Sequence, residues 1–218
     1  MVLKKYYEMG LDTLSKKPVV ALVILFLTIA ATHAQTKIKR LYAESDFDQV
    51  AFDSLKLINQ HKISPENDAV ALATNLAFLH YPELKGHKII IKYKKSVRYP
   101  ITASWAFGNI FRFRKRHKYV LLLSENSFVK RVSLNKQVGV IGHEMAHFLY
   151  YSRRPSIGMV WWGLKYVFSK KFRYNFEKEA DKTAIDHDLG WQLLDLSFYM
   201  RHHEVEQYMR ETGKYGEK

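Results

Sequence analysis

The centre of the chain reads Val138-Gly-Val-Ile-Gly-His-Glu-Met-Ala-His-Phe-Leu-Tyr-Tyr151. It contains a His-Glu-x-x-His pattern in which His143 and His147 are four positions apart. Four residues of α-helix turn the chain by about 400°, so the two imidazoles lie on one face, where they can share a metal ion. Glu144 projects about 100° away from His143, close enough to such a metal to take a proton from a bound water.

The residues around this pattern predict that it lies in the middle of a helix. Ser133 is a suitable N-cap, and Pro155 follows Arg154 as a stop signal. Between them, apolar residues recur at the spacing of a buried stripe: Val138, Ile141, Met145, Ala146 and Leu149. We therefore expect a helix whose apolar neighbours exclude water from one side of the histidine pair.

The composition restricts both the metal site and the partners. The 218 residues contain no cysteine, which excludes disulfides and thiolate ligands, so a zinc ion here requires histidine and carboxylate ligands. With 47% hydrophobic residues, the chain is long enough to bury one core. The formal charge of +14 suits lipid headgroups, acidic glycans or nucleic acid, and a generally basic soluble surface is the alternative explanation.

The first 34 residues have the pattern of a targeting segment. Lysines at positions 4, 5, 16 and 17 accompany an apolar run from Val19 to Ala31, and Ala34 is the predicted last residue before cleavage. A run of about 13 apolar residues is short for a spanning helix and suits a signal peptide. An uncleaved N-terminal membrane anchor is the alternative. Either places residues 35–218, a single domain, in the periplasm or another extracytoplasmic space.

The middle of the chain predicts an α+β fold. Two helices are expected between Asp46 and Pro82. Three strands are expected to follow: His87–Lys95, Trp105–Arg114 and Lys118–Ser124. The basic cluster from Arg112 to Lys118 could bind an anion, although a solvated hairpin tip is the simpler explanation.

An apolar segment, Ile157–Phe168, follows the histidine helix and precedes the basic residues of Lys170–Arg173. It is too short to cross a bilayer, but Trp161 and Trp162 beside lysines are typical of a segment at a membrane surface. A lid or core helix that covers the active-site region is the alternative interpretation.

A third metal ligand is expected on the helix predicted over Asn175–Gly190, because a hydrolytic zinc site has three protein ligands and one open position. Glu177 and Asp181 are four apart and share a face. If this helix folds back against the histidine helix, Glu177 reaches the metal, and Asp181 accepts the outer N–H of a ligating imidazole. Glu179 is the alternative ligand if the helix register differs. Trp191–Gly213 is expected to continue as helix.

The two motifs, His143-Glu-Met-Ala-His147 and Glu177-Lys-Glu-Ala-Asp181, resemble those of the gluzincin zinc metallopeptidases. The similarity is to the branch that contains the CAAX prenyl endopeptidases and the membrane quality-control proteases. It implies a zincin-like α+β fold, in which a small sheet with an edge strand packs on the histidine helix and a helical C-terminal half follows. It also implies one Zn2+ per metallopeptidase-like domain, with His143, His147 and Glu177 as ligands, Glu144 as general base and Asp181 in support.

The resemblance further implies a substrate strand, and it is incomplete in two places. Trp105, Ala106 and Phe107 are the counterpart of an edge strand to which an extended peptide adds. Some family members have two spanning helices between the motifs, where this chain has only Ile157–Phe168. A His-Pro element of the family is replaced here by His202-His203, either of which is a candidate to stabilise the oxyanion of the transition state.

The sequence thus predicts an exported zinc-dependent endopeptidase that hydrolyses peptides or unfolded exported proteins near a membrane. The alternative is a non-catalytic envelope module that binds anionic lipid or polysaccharide and carries a structural or inactive zinc site. A fourth ligand, such as His187 or His202, would favour this alternative. No nucleic-acid partner is expected, because export separates the chain from most nucleic acid and no recognition motif is present.

Overall fold

The computed structural model describes residues 41–48, 51, 53, 70–95, 99–106, 108–109, 117–196 and 199–215. The leader or anchor predicted for residues 1–34 lies outside these ranges, as do Phe107 and most of the first helix predicted after Asp46. Within the described ranges, one hydrophobic core joins the helices to the sheet.

The described part has a mixed α+β architecture, with one three-stranded sheet and six α-helices. The strands are β1 (Lys88–Lys94), β2 (Ile101–Trp105) and β3 (Lys118–Ser124). The helices are α1 (Ala71–Leu79), α2 (Leu134–Ser152), α3 (Ser156–Phe168), α4 (Lys170–Asp186), α5 (Gly190–Asp195) and α6 (His202–Glu211). The predicted α+β class, with a small sheet and a mainly helical second half, is confirmed.

The strand order is β1-β3-β2, so β2 forms one edge of the described sheet. β1 runs parallel to β3, whereas β2 runs antiparallel to it, with Ala103 opposite Leu121. Tyr119, Leu121 and Leu123 alternate along β3 and are fully buried. This alternation is expected of a strand whose one face packs against the core.

Of the strand predicted over Trp105–Arg114, the structure describes Trp105, Ala106, Gly108 and Asn109, and of these only Trp105 lies in a strand, as the last residue of β2. Phe107 and residues 110–114 lie outside the described ranges. The chain turns directly after Trp105, since the N–H of Asn109 donates to the carbonyl of Ala106 at 2.8 Å. The Asn109 side chain then pairs with the backbone of Lys118 through bonds of 2.7 and 2.9 Å. The described residues directly after Trp105 therefore form a turn, and the alternating aromatic and basic residues of Phe111–Arg114 lie outside the described ranges.

Helix α2 carries the histidine pattern and packs against α1, α4, α5 and β2. It begins after Ser133, whose side chain makes no capping hydrogen bond, and it ends at Ser152. Burial is not confined to the predicted stripe, because His143, Glu144 and His147 are also buried. Buried polar groups are costly unless they are paired, so these side chains require partners from other elements.

Gly139 permits a close approach between α2 and α5. A Cβ at this position would lie 2.8 Å from the carbonyl oxygen of Gln192. Because backbone atoms cannot rotate aside, we expect Gly139→Ala to lower the free energy of unfolding by about 1–3 kcal/mol. Chemical denaturation measures this difference. Gly163→Ala in α3 is the control, since a Cβ there would meet nothing within 4 Å. Equal stability of Gly139→Ala and the wild type would contradict the close packing.

Both predicted ends of the helix that carries Glu177 are wrong. Ser169 caps α4 in place of Asn175, because its side chain accepts a backbone N–H of the first turn at 3.1 Å. The helix ends at Asp186, and a turn in which Asp188 has a φ of 63° follows. Gly190 consequently begins α5 instead of ending α4.

The helix predicted over Trp191–Gly213 is two helices, α5 and α6. In the connection between them, the N–H groups of Tyr199 and Met200 both donate to Oδ2 of Asp181, at 3.0 and 2.7 Å. An N–H donated to a side chain cannot also extend a helix. The Asp181 carboxylate therefore holds this connection in a non-helical conformation.

Helix α3 occupies the apolar segment between the two motifs and has two different faces. Met159 is buried and Trp162 and Tyr166 are half-buried, whereas Trp161 and Phe168 are exposed. In the described part of the chain, no helix combines the length and apolarity needed to cross a membrane.

Candidate metal centre

Three side chains that can ligate a metal meet inside the molecule. His143 and His147 lie one turn apart on α2, and Glu177 comes from α4. Oε2 of Glu177 is 3.2 Å from Nε2 of His143 and 3.0 Å from Nε2 of His147. One ligand atom from each residue lies within 4.8 Å of the other two, and all three residues are buried. This group could hold one metal ion.

Asp181 orients the first imidazole. Its Oδ1 atom accepts the Nδ1–H of His143 at 2.8 Å. With Nδ1 protonated, the lone pair of the neutral ring is on Nε2, which faces Glu177. Asp181 thus lies where the sequence predicted a supporting carboxylate, one turn beyond Glu177 on α4.

The second imidazole is held by ring packing. His147 stacks on Phe176, with ring centroids 4.6 Å apart, and meets His143 edge-on at 4.9 Å. Its Nδ1 atom is buried and has no hydrogen-bond partner among the described residues. Aromatic contacts and the Glu177 carboxylate at Nε2 therefore hold this ring, whereas His143 has a carboxylate at each nitrogen.

The charges of the group favour a cation between its members. Burial lowers the pKa of His143, but hydrogen bonds to Asp181 and Glu177 outweigh burial and raise this pKa to about 10. Burial raises the pKa of Glu177, and its contacts with both imidazoles reverse this effect and hold the pKa well below its usual range. A neutral His143 would present its lone pair to the carboxylate at 3.2 Å, so a proton or a metal is needed between them. The residues present therefore fit a divalent cation.

The donor set limits which metals suit the group. Two imidazole nitrogens and one carboxylate oxygen match the three-ligand sites of hydrolytic zinc, and imidazole also binds other first-row metals. Among the described residues, the group has three members. His187, considered as a fourth ligand, instead stacks on Tyr81 at 4.4 Å and contacts the carbonyl of Thr183 at 2.7 Å.

Glu144 lies beside His143 and His147 and contacts the sheet. Its Oε2 atom accepts the backbone N–H of Ala103 in β2. Burial raises the pKa of Glu144, and the nearby imidazoles and the Ala103 N–H offset this only in part. A carboxylate whose pKa is shifted toward neutrality is suited to accept a proton and to return it.

A cavity of about 630 Å³ lies in front of these residues. Tyr99–Trp105 form one side of it, and Met159, Trp162 and Tyr166 of α3 form another. A cavity of this size with a mainly aromatic and aliphatic lining is suited to apolar side chains of a bound molecule.

Two tyrosines beside the candidate metal group were not identified from the sequence. The Tyr166 hydroxyl donates to Oε1 of Glu177 at 2.7 Å, and the Tyr199 ring stacks on His143 with centroids 5.7 Å apart. Burial raises the pKa of both phenols, so both stay protonated at neutral pH. Tyr166 lies on α3 and Tyr199 in the α5–α6 connection. The one sequence feature that could have indicated Tyr166 is its hydroxyl within an otherwise apolar segment. No feature of the sequence distinguished Tyr199 from the other tyrosines.

His202 and His203 do not lie at the site. Both are exposed and neither lines the cavity, and His202 pairs with Glu206 at 3.5 Å. The connection bound to Asp181 precedes them, so they begin α6 away from the ligands. This placement corrects the prediction that either histidine stabilises an oxyanion.

The predicted substrate strand is displaced toward the N-terminus. Trp105 is the last residue of β2 and lines the cavity, and Ala106 follows the strand. The strand edge beside the ligands is therefore Ile101–Trp105. Glu179, the alternative ligand, is exposed and pairs with Lys182 at 3.0 Å, so it has no part in the group.

Asp181→Asn is expected to weaken zinc binding by about 10- to 100-fold. The amide oxygen can still accept the Nδ1–H of His143, but the amide lacks the charge that makes the ring a stronger ligand. Its NH2 group also replaces the oxygen that accepts the N–H groups of Tyr199 and Met200. A competition titration against a coloured chelator measures the affinity. Asp186→Asn, on the same helix but exposed, is the control. An unchanged affinity in Asp181→Asn would show that the carboxylate does not support the metal site.

Comparisons with protein-family models, with curated proteins and with solved structures found no match to this chain.

Proposed function

We propose that the chain is a zinc-dependent endopeptidase related in mechanism to the gluzincins that its two motifs resemble. The observation that carries this proposal is the meeting of Glu177 with both imidazoles of α2, while Glu144 lies beside them in the wall of a cavity. If the His-Glu-x-x-His pattern had arisen by chance, there would be no reason for a carboxylate from a second helix to lie against both imidazoles. The three-ligand group supports a catalytic site, since structural zinc sites usually have four protein ligands.

A zinc ion bound to the three ligands would supply a Lewis acid that polarises a peptide carbonyl and lowers the pKa of a water molecule. Glu144 accepts a proton from the attacking water. The water oxygen bonds to the carbonyl carbon, the C–N bond breaks, and Glu144 passes the proton to the leaving nitrogen. Throughout these steps, Asp181 holds His143 and Tyr166 holds Glu177.

Strand β2 is the proposed binding edge for the substrate backbone. The N–H of Ala103 donates to Glu144. The carbonyl of an extended peptide can accept this N–H in place of Glu144, and the peptide then adds a strand to the sheet. This exchange frees the Glu144 carboxylate to act on water. The apolar cavity lining supports substrates with apolar side chains in extended form, as in peptides or unfolded exported proteins.

The second interpretation is a non-catalytic envelope module with a basic surface and a closed or inactive zinc site. A fourth ligand would favour it, and neither His187 nor His202 lies where it could supply one. The extracytoplasmic location predicted from residues 1–34, and the absence of a nucleic-acid partner, stay predictions.

Removal of the metal tests the proposed function. We expect the zinc-loaded chain to cleave an unfolded protein such as reduced casein, and 1,10-phenanthroline to lower the rate at least about 100-fold. After the chelator is removed, one equivalent of Zn2+ is expected to restore the rate, whereas Mg2+ is not, because the nitrogen ligands disfavour it. The initial rate of fluorescent peptide release is the measurement. Undiminished cleavage by the metal-free chain would contradict the proposal.

A further inference from the structure

Helix α3 carries an exposed apolar face on the side opposite the cavity. Its six exposed apolar residues are Ile157 (81% exposed), Val160 (48%), Trp161 (66%), Leu164 (46%), Val167 (66%) and Phe168 (82%). At 100° per residue they fall within a sector of about 120°. Met159, Trp162 and Tyr166 project to the other side and line the cavity. A continuous exposed stripe of large apolar side chains marks an interaction surface.

The residues that flank this face are basic. The segment 153–173 contains no acidic residue, and its basic residues are Arg153, Arg154, Lys165, Lys170, Lys171 and Arg173. Lys165, Lys170 and Lys171 are exposed. An apolar face bordered by cations complements a surface with an apolar interior and anionic headgroups, which is the surface of an anionic lipid bilayer. The overall charge of +14 has the same sign and would attract the chain to such a surface.

The length of α3 determines how it can meet a bilayer. Its 13 residues span about 20 Å, which is less than the roughly 30 Å of a hydrocarbon core. A helix of this length with one apolar face lies in the plane of the interface instead of crossing the membrane. Trp161, near the middle of the helix and at one edge of the face, is a residue type that concentrates at the headgroup level.

We propose that α3 docks the chain onto an anionic lipid bilayer, with the face from Ile157 to Phe168 inserted at the boundary between headgroups and acyl chains. Because the other side of α3 lines the cavity, docking holds the catalytic group roughly one helix diameter, about 10 Å, from the lipid surface. The consequence for substrates rests on the proposed peptidase function: cleavage would be directed to extended segments at the membrane surface.

Quenching of tryptophan fluorescence by brominated lipids tests the docking. Bromine on the acyl chains quenches only tryptophans that lie at the depth of the bromine atoms. Quenching therefore reports on the inserted helix itself, even where another segment holds the chain on the vesicle. We expect the zinc-loaded full chain to be quenched on vesicles of phosphatidylglycerol and brominated phosphatidylcholine. Trp161→Phe should lose this quenching, and Trp191→Phe, which changes a tryptophan of α5, should keep it. The measurement uses no substrate, so its result is independent of peptidase activity.

Substitution of the face provides the second arm. Ile157→Ser combined with Phe168→Ser is expected to raise the lipid concentration for half-maximal quenching at least about tenfold. Leu41→Ser is the control. It removes a similar apolar side chain, and Leu41 is 59% exposed but lies outside α3. Neither Ile157 nor Phe168 lines the cavity, so cleavage of a soluble peptide should be unchanged. High salt or vesicles without phosphatidylglycerol should weaken the quenching.

Three results would overturn the lipid proposal. The first is an unquenched Trp161 on anionic vesicles, and the second is equal quenching of the double-serine variant and the wild type. The third is a wild-type dimer in sedimentation equilibrium that the double-serine variant converts to a monomer, with Trp161 unquenched by lipid. That result would assign the face to a contact between two copies of the chain.

Discussion

Glu144→Gln is expected to lower kcat for peptide hydrolysis by about 1,000-fold while zinc stays bound. Glutamine has nearly the volume of glutamate, and its carbonyl can accept the Ala103 N–H that donates to Glu144 in the wild type. The cavity wall is therefore retained. An amide cannot take a proton from water, so the loss falls on the chemical step. Glu144 is not among the three clustered ligands, and one zinc per chain should remain.

Initial rates on an unfolded protein, together with zinc analysis of the same preparation, measure the two expected effects of Glu144→Gln. Glu179→Gln makes the same chemical change on an exposed residue paired with Lys182 and should keep full activity. If Glu144→Gln hydrolyses substrate within about tenfold of the wild-type rate, another group must be the base, and the proposed role of Glu144 is wrong.

Glu177→Ala is expected to lower zinc affinity at least about 100-fold, more than the loss of a supporting residue causes. The substitution removes the oxygen that lies 3.0 and 3.2 Å from the two imidazoles. It also removes the acceptor of the Tyr166 hydroxyl and leaves a buried, protonated His143 with less charge to balance it. We therefore expect the free energy of unfolding to fall as well.

Two further variants separate loss of the ligand from loss of stability. Glu177→Gln keeps the side-chain volume and an acceptor for Tyr166, so it should fold more stably than Glu177→Ala and still bind zinc poorly. Glu179→Ala, two residues along α4 and exposed, should bind zinc as the wild type does. Competition titration gives the affinities, and thermal unfolding gives the stabilities. Equal zinc affinity in all four proteins would exclude Glu177 as a ligand and remove the main support for the peptidase proposal.

The candidate metal group was predictable from the sequence because each of its two halves is a local pattern. His143 and His147 must share a face of any helix that contains them, and the same holds for Glu177 and Asp181. The one long-range assumption was that the two helices pack together, and both carry apolar residues that require burial. Helix α2 and the buried alternation of β3 were predictable for the same reason.

Predictions failed where a contact between distant residues decided the local conformation. Directly after Trp105, where a continuing strand was expected, the N–H of Asn109 donates to the carbonyl of Ala106, and the Asn109 side chain pairs with the backbone of Lys118. The helix expected after Trp191 is interrupted where Asp181 accepts two backbone N–H groups. Propensity describes a short window of sequence, and a buried hydrogen bond from another element is strong enough to override it.

The sequence by itself determined the helical spacing of the histidines and of the Glu177–Asp181 pair, and it excluded thiolate ligands. These properties depend only on residue types and on the geometry of a single helix. Only the tertiary structure decided that Ala103 holds Glu144, that Tyr166 and Tyr199 contact the ligands, and that α3 has an exposed apolar face. Those contacts join residues far apart in the chain, and which of them form depends on how all the elements bury their apolar surfaces together.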